Sequence, residues 1–146
     1  MKIAIASDHA GFELKDKLLV WLKSQNHEIL DFGTNSLNSC DYPEYAYAAS
    51  LSVSKGESDF GVIICGSGIG MSIVCNKVKG IRAANCCSEE MASLSRKHNN
   101  ANVLNLGARL LDFEKAKNIT ETFLNTGFEA GRHAVRVNKI HELTGC

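Results

Sequence analysis

The chain has 146 residues, 45% apolar and 22% charged, with 16 acidic side chains against 16 basic ones. That length suits one domain with a real core and excludes two ordinary ones. A formal charge of zero gives no general field for nucleic acid or an anionic membrane, so any bound anion must meet a local cluster.

Lys2–Ser7 reads as the first strand, and Asp8 interrupts it before the apolar stretch of an export signal could form. Leu14, Leu18, Trp21 and Leu22 then recur at helical spacing. Glu28–Phe32 is the second strand, and Pro43, the only proline, suits the first turn of a helix through Ala46, Ala49 and Val53. Phe60–Cys65 is the third strand and runs into Gly66-Ser67-Gly68-Ile69-Gly70 at the start of a helix. Ile81–Cys87 is the fourth, after which Ser88, Glu89 and Glu90 open a helix with acids at its positive end. Asn102–Leu106 is the fifth, and Asp112 caps a helix carrying Ile119 and Phe123 that Gly127 closes. A last helix follows Gly131, with Val137, Ile140 and Leu143 turned inward.

Ile3–Ala6, Val62–Cys65 and Val103–Leu106 are apolar almost throughout, as in strands covered on both faces. The alternation predicts an α/β fold, a three-layer α/β/α sandwich around a parallel sheet, as one domain over residues 1–146. No apolar run approaches the ~20 residues of a membrane span, so a cytoplasmic protein with no membrane or nucleic-acid partner is expected. The six cysteines (Cys40, Cys65, Cys75, Cys86, Cys87 and Cys146) include no CxxC pair and no zinc spacing, which predicts reduced thiols and no metal. Cys146, the final residue, forms no prenylation box.

In an open parallel sheet ligands bind beyond the carboxyl ends of the strands, and four such regions carry distinctive residues. Asp8 and His9 suit a proton-transfer pair, or an Asp capping the next helix beside a solvated His. Gly66, Gly68 and Gly70 let backbone N–H groups crowd onto an anion, or simply allow a tight strand–helix turn. Met71 rules out GxGxxG, and no Gly-Lys-Ser/Thr follows, so neither a dinucleotide nor a P-loop site is expected. Cys65, at the mouth of that loop, is either a base or nucleophile or a buried small hydrophobe. His98 lies at i+7 from Met91 and i+4 from Leu94, and so could complete a buried helix face, with Asn99 and Asn100 as the stop. Gly107-Ala108-Arg109 ends the fifth strand. Arg132 and Arg136, four apart with His133 between and Glu129 the only close carboxylate, suit a phosphate or form a solvated basic face.

Together these segments resemble the type B ribose-5-phosphate isomerases, a family that includes galactose-6-phosphate and allose-6-phosphate isomerases. The matching text is Ser7-Asp8-His9-Ala10-Gly11-Phe12, Asp41-Tyr42-Pro43, Ile64-Cys65-Gly66-Ser67-Gly68-Ile69-Gly70-Met71-Ser72, Asn76-Lys77, Ser95-Arg96-Lys97-His98-Asn99, Asn102-Val103-Leu104, Gly107-Ala108-Arg109 and Gly131-Arg132-His133, in order over nearly the full chain. The resemblance implies a Rossmann-like sheet of order 2-1-3-5-4 and a cofactor-free aldose–ketose isomerisation of ribose 5-phosphate through an enediol(ate). It implies Cys65 as the base, Ser67 and His98 as the ring-opening pair, and Asp8 handling hydroxyl protons. The Gly66, Gly68 and Gly70 backbone would stabilise the oxyanion. Arg132 and Arg136 would hold phosphate with help from His9 and Arg109, and Tyr42 and Asn99 would line the pocket. It further implies a homodimer or dimer of dimers, with the site at the subunit boundary.

Two departures matter. A branch of the family has a glutamate base where Met71 stands, so the role falls to Cys65, and Ser67 replaces a frequent threonine. Galactose-6-phosphate isomerases divide the family's residues between two related subunits, whereas this chain has the full set. A non-catalytic sugar-phosphate sensor, the rival from another class, would have no need of Cys65, Ser67 and His98 together.

Overall fold

Lys2–Ser7 (β1), Glu28–Asp31 (β2), Phe60–Cys65 (β3), Ala83–Asn85 (β4) and Val103–Gly107 (β5) pair in parallel, in the order β2-β1-β3-β5-β4. The computed structural model describes residues 1–145; Cys146, one of the thiols expected to be reduced, lies outside them. The helices are Phe12–Ser24 (α1), Tyr42–Ser54 (α2), Ile69–Cys75 (α3), Glu89–Asn99 (α4), Phe113–Asn125 (α5) and Arg132–Thr144 (α6).

Strand alternation sends Ile3, Ile5, Val62, Ile64, Leu104 and Leu106 to one face, where Leu18, Ile119 and Phe123 cover them from α1 and α5. The other face carries Ala4, Ala6, Ile63, Cys65 and Val103 against Ala46 and Ala49 of α2 and Met71 and Cys75 of α3. Alanine opposite alanine lets α2 lie close on β1. The sequence order turns back between β1 and β3, which opens a crevice at their carboxyl ends.

Two buried cations brace the connections. The Lys15 ammonium donates to Asp31 at 2.7 Å and to the Thr34 carbonyl at 2.9 Å, fixing the chain that leaves β2. Arg96 lies over Phe60 and Phe123, at 4.7 and 5.6 Å from the ring centroids. Its Nε donates to the Thr126 carbonyl, and its Nη1 to the Ala101 carbonyl and Asn100 Oδ1.

Several expected boundaries move. β4 has three residues instead of Ile81–Cys87, because it is an edge strand and Ile81 closes a turn through its N–H to the Val78 carbonyl. α5 ends at Asn125 on an extended Thr126, and Gly127 is not in the left-handed region. Of the three residues expected inward on α6 only Val137 is buried; Ile140 is 43% and Leu143 76% exposed. The caps at Ser88 and Asp112 form as expected, accepting from the Met91 and Lys115 N–H groups. Among the described residues no helix is long and apolar enough to cross a membrane.

Candidate active site

At the carboxyl ends of β1, β3 and β5 lies a cavity of about 400 Å³, lined by Asp8, His9, Tyr42, Cys65, Ser67 and Arg109 with Gly66 and Gly70. Backbone N–H groups hold four of its side chains, those of Asp8, His9, Cys65 and Ser67. Asp8, buried, accepts the Gly11 N–H on Oδ1 at 3.0 Å. It closes the turn before α1 and does not cap the helix, whose N-cap is Gly11. His9 accepts the Cys40 backbone N–H on Nδ1 at 3.3 Å, which leaves the proton of the neutral ring on Nε2. The Cys40 sulfur lies 3.8 Å from the same nitrogen.

Cys65 is buried at the end of β3 and its sulfur receives the Gly68 N–H at 3.2 Å. Gly68 has φ +78°, the left-handed region that turns this N–H back over the sulfur and that side chains disfavour. Ser67 Oγ accepts the Ile69 N–H at 3.3 Å, and the Ser67 carbonyl accepts from Asn85 Nδ2 at 3.4 Å. A Cβ at Gly70 would sit 2.8 Å from Tyr42 Cζ, so the phenol can lie on bare backbone only there. Two N–H groups expected to meet an anion, those of Gly68 and Ile69, are thus engaged inside the loop. The loop is both a tight turn and a frame for the thiol. Burial raises Cys75, and pushes Cys86 up to about 11, so these two thiols stay protonated and behave as small hydrophobes.

A second group of expected site residues lies outside this cavity. His98 is on an outward face of α4, since Met91 and Leu94 are 42% and 41% exposed and the buried positions are Ala92, Ser95 and Arg96. Of the two readings of His98, the one in which it completes a buried face is therefore excluded. Its ring stacks on His133 at 4.3 Å between centroids with planes 8° apart, and its Nε2 is 3.9 Å from Glu129 Oε2. Burial holds His133 below the usual 6.5, and nearby His98, Arg132 and Arg136 push the same way. Arg132 and Arg136 are exposed, and among the described residues neither is paired with a carboxylate. Asn99 lines a separate cavity of about 300 Å³ with Arg82 and Ile140. Asn100, with φ 47°, is the helix stop.

Sequence reasoning missed Cys40 and Asn85. Asn85 ends β4, and the strand-end rule could have found it; nothing local links Cys40 to His9, 31 residues away.

The family described as Ribose/Galactose Isomerase matches residues 3–140. Ribose-5-phosphate isomerase B of Escherichia coli K12 is 45% identical over 139 residues, 95% of this chain and 93% of that protein. The solved structure of Clostridium thermocellum ribose-5-phosphate isomerase B superposes with a TM-score of 0.98 at 47% identity, covering 99% of this chain and 98% of that one. That of the Mycoplasma genitalium enzyme, with bound ribulose-5-phosphate, gives 0.95 at 40% identity, covering 99% and 96%.

Proposed function

The chain belongs to the ribose/galactose isomerase family, and we propose that it interconverts D-ribose 5-phosphate and D-ribulose 5-phosphate through an enediol(ate). The observation that carries this reading is the meeting of Cys65, Ser67, Asp8 and Tyr42 in one cavity, with a backbone N–H on the sulfur. Cys65 takes the proton from C2 and returns it to C1. The remaining N–H groups of the Gly66–Gly70 loop stabilise the developing oxyanion, and Asp8 moves hydroxyl protons. Ser67 and His98 open the furanose. Arg132 and Arg136 hold the phosphate with His9 and Arg109, and Tyr42 and Asn99 line the sugar site. Acid, base and oxyanion donors all come from the protein, so the reaction needs no cofactor.

The active unit we infer is a homodimer or dimer of dimers, with His98, Arg132 and Arg136 entering the partner's Cys65 cavity. Their separation from Cys65 within one chain supports this. So does the exposed apolar surface of Ile69, Met91 and Leu110, which lines one depression beside Ser67. A partner's surface there would exclude water from the enediolate. The whole chain then acts as one isomerase domain, in the cytoplasm and in the non-oxidative pentose phosphate pathway.

A coupled assay for ribulose 5-phosphate formed from ribose 5-phosphate tests the reading. Turnover is expected with the pentose phosphate. Turnover with allose 6-phosphate or galactose 6-phosphate alone would instead make it a hexose-phosphate isomerase. Binding with no turnover of any of the three would make it a sensor.

A further inference from the structure

His98 is held by a frame that its own helix does not supply. The Glu129 N–H donates to the Lys97 carbonyl at 3.1 Å, which pins the α5–α6 connection to the last turn of α4. The chain then passes through Ala130 at φ 52° and Gly131 at φ 53°, two consecutive residues in the positive-φ region. For alanine that conformation is strained, and strain of this kind persists where the surroundings over-determine it, often at functional sites. The His133 N–H donates to the Ala130 carbonyl at 3.0 Å, and α6 begins.

The turn brings two side chains to one imidazole. The His133 ring, 8% exposed and so the fixed member, lies 4.3 Å from that of His98 in a nearly parallel stack. The Glu129 carboxylate stands 3.9 Å from His98 Nε2. That is too long for a hydrogen bond. The carboxylate therefore biases the ring proton toward Nε2 without occupying it, and the stack sets the plane in which that N–H points.

We propose that Glu129 and His133 are positioning residues for His98, fixing its ring plane and favouring the tautomer with its N–H on Nε2 for opening of the furanose. In that step the O1 hydroxyl passes its proton through Ser67 Oγ to solvent, the C1–O4 bond breaks, O4 takes the proton from Nε2–H and Nδ1 takes one from solvent, leaving an aldehyde at C1 and a neutral imidazole. The proposal rests on the isomerase reading above and deepens it.

Ring opening separates from proton transfer by choice of substrate. Ribose 5-phosphate is a closed furanose, whereas ribulose 5-phosphate has no ring, because its C5 oxygen carries the phosphate. Exchange of the C1 hydrogen of ribulose 5-phosphate in D2O therefore reads the Cys65 step alone. Glu129→Gln and His133→Ala are expected to slow turnover of ribose 5-phosphate by ~10-fold, part of what a positioned proton carrier contributes. Exchange should stay within about twofold of wild type in both, with an unchanged melting temperature in Glu129→Gln. His133→Phe, which keeps a flat ring against His98, should retain more turnover than His133→Ala. A parallel fall of turnover and exchange would assign the two residues to folding or phosphate binding and overturn the proposal, as would no fall in either. A wild-type protein showing neither turnover nor exchange would overturn the isomerase reading itself, and this inference with it.

Discussion

The Cys65 cavity and the His98 cluster are held in different ways. In the cavity, Asp8, His9 and Cys65 each receive a backbone N–H, from Gly11, Cys40 and Gly68, so main chain fixes the polar atoms. In the cluster, side chain rests on side chain: an imidazole stack, a carboxylate beyond hydrogen-bond reach, and exposed guanidiniums with no acidic partner among the described residues. A backbone-held group needs nothing from outside to be in place. Guanidiniums left charged and exposed have geometry to gain from a ligand or a partner surface. On the proposed reading, the C1–C2 proton transfer falls to the first region, and ring opening and phosphate binding fall to the second.

The sharpest way to break that division is Cys65→Ala, expected to lower kcat by ~10²–10⁴-fold while ribose 5-phosphate still binds, since a base carries chemistry and not affinity. Turnover near wild type in that variant would place the base elsewhere. Next comes mixing of inactive Cys65→Ala with inactive His98→Ala subunits. If the site is shared, a mixed dimer has one site with both defects and one with neither, so each mixed dimer recovers up to about half of wild-type activity. Verified subunit exchange with no recovery would put both residues in sites made by single chains.

A smaller effect is expected at Arg136→Ala, which should raise KM by ~10–100-fold, the loss of one charge-assisted contact of about 1.5–3 kcal/mol. An unchanged KM would move the phosphate off α6. The smallest effect concerns pH. Because His133 is held below 6.5 in the fold, the unfolded chain binds its proton more readily, and stability falls as pH drops below about 6.5 toward the folded value. His133→Asn should therefore lose less melting temperature than wild type between pH 7.5 and pH 5.5. Equal losses would mean that the ring gains its proton without cost in the fold.

How legible each region is in the sequence follows the same division. β1 and β3 appear at their true limits and β5 within one residue, because continuous apolar runs admit few readings; the three-residue β4 has too little pattern to bound it. The glycine loop announces itself by composition, but only the structure reveals that Gly68 serves the sulfur. Ile140 and Leu143 recur at helical spacing and so read as inward, yet periodicity never says against what a residue packs. Met91, Leu94 and His98 teach the same lesson on α4: a shared face is readable, and its exposure is not.

Arg96 has a consequence for how the molecule opens. Its guanidinium ties the end of α4 and the start of β5 to Thr126, at the end of α5, and the Glu129 N–H repeats the tie at the Lys97 carbonyl. Segments 97–101 and 126–131 therefore cannot fray independently. In hydrogen exchange they are expected to behave as one cooperative unit, whose amides become accessible together and at a common free energy. His98 and Glu129 belong to that unit, so a local fluctuation that releases one is expected to release the other, while the Gly68 amide on the Cys65 sulfur lies outside it.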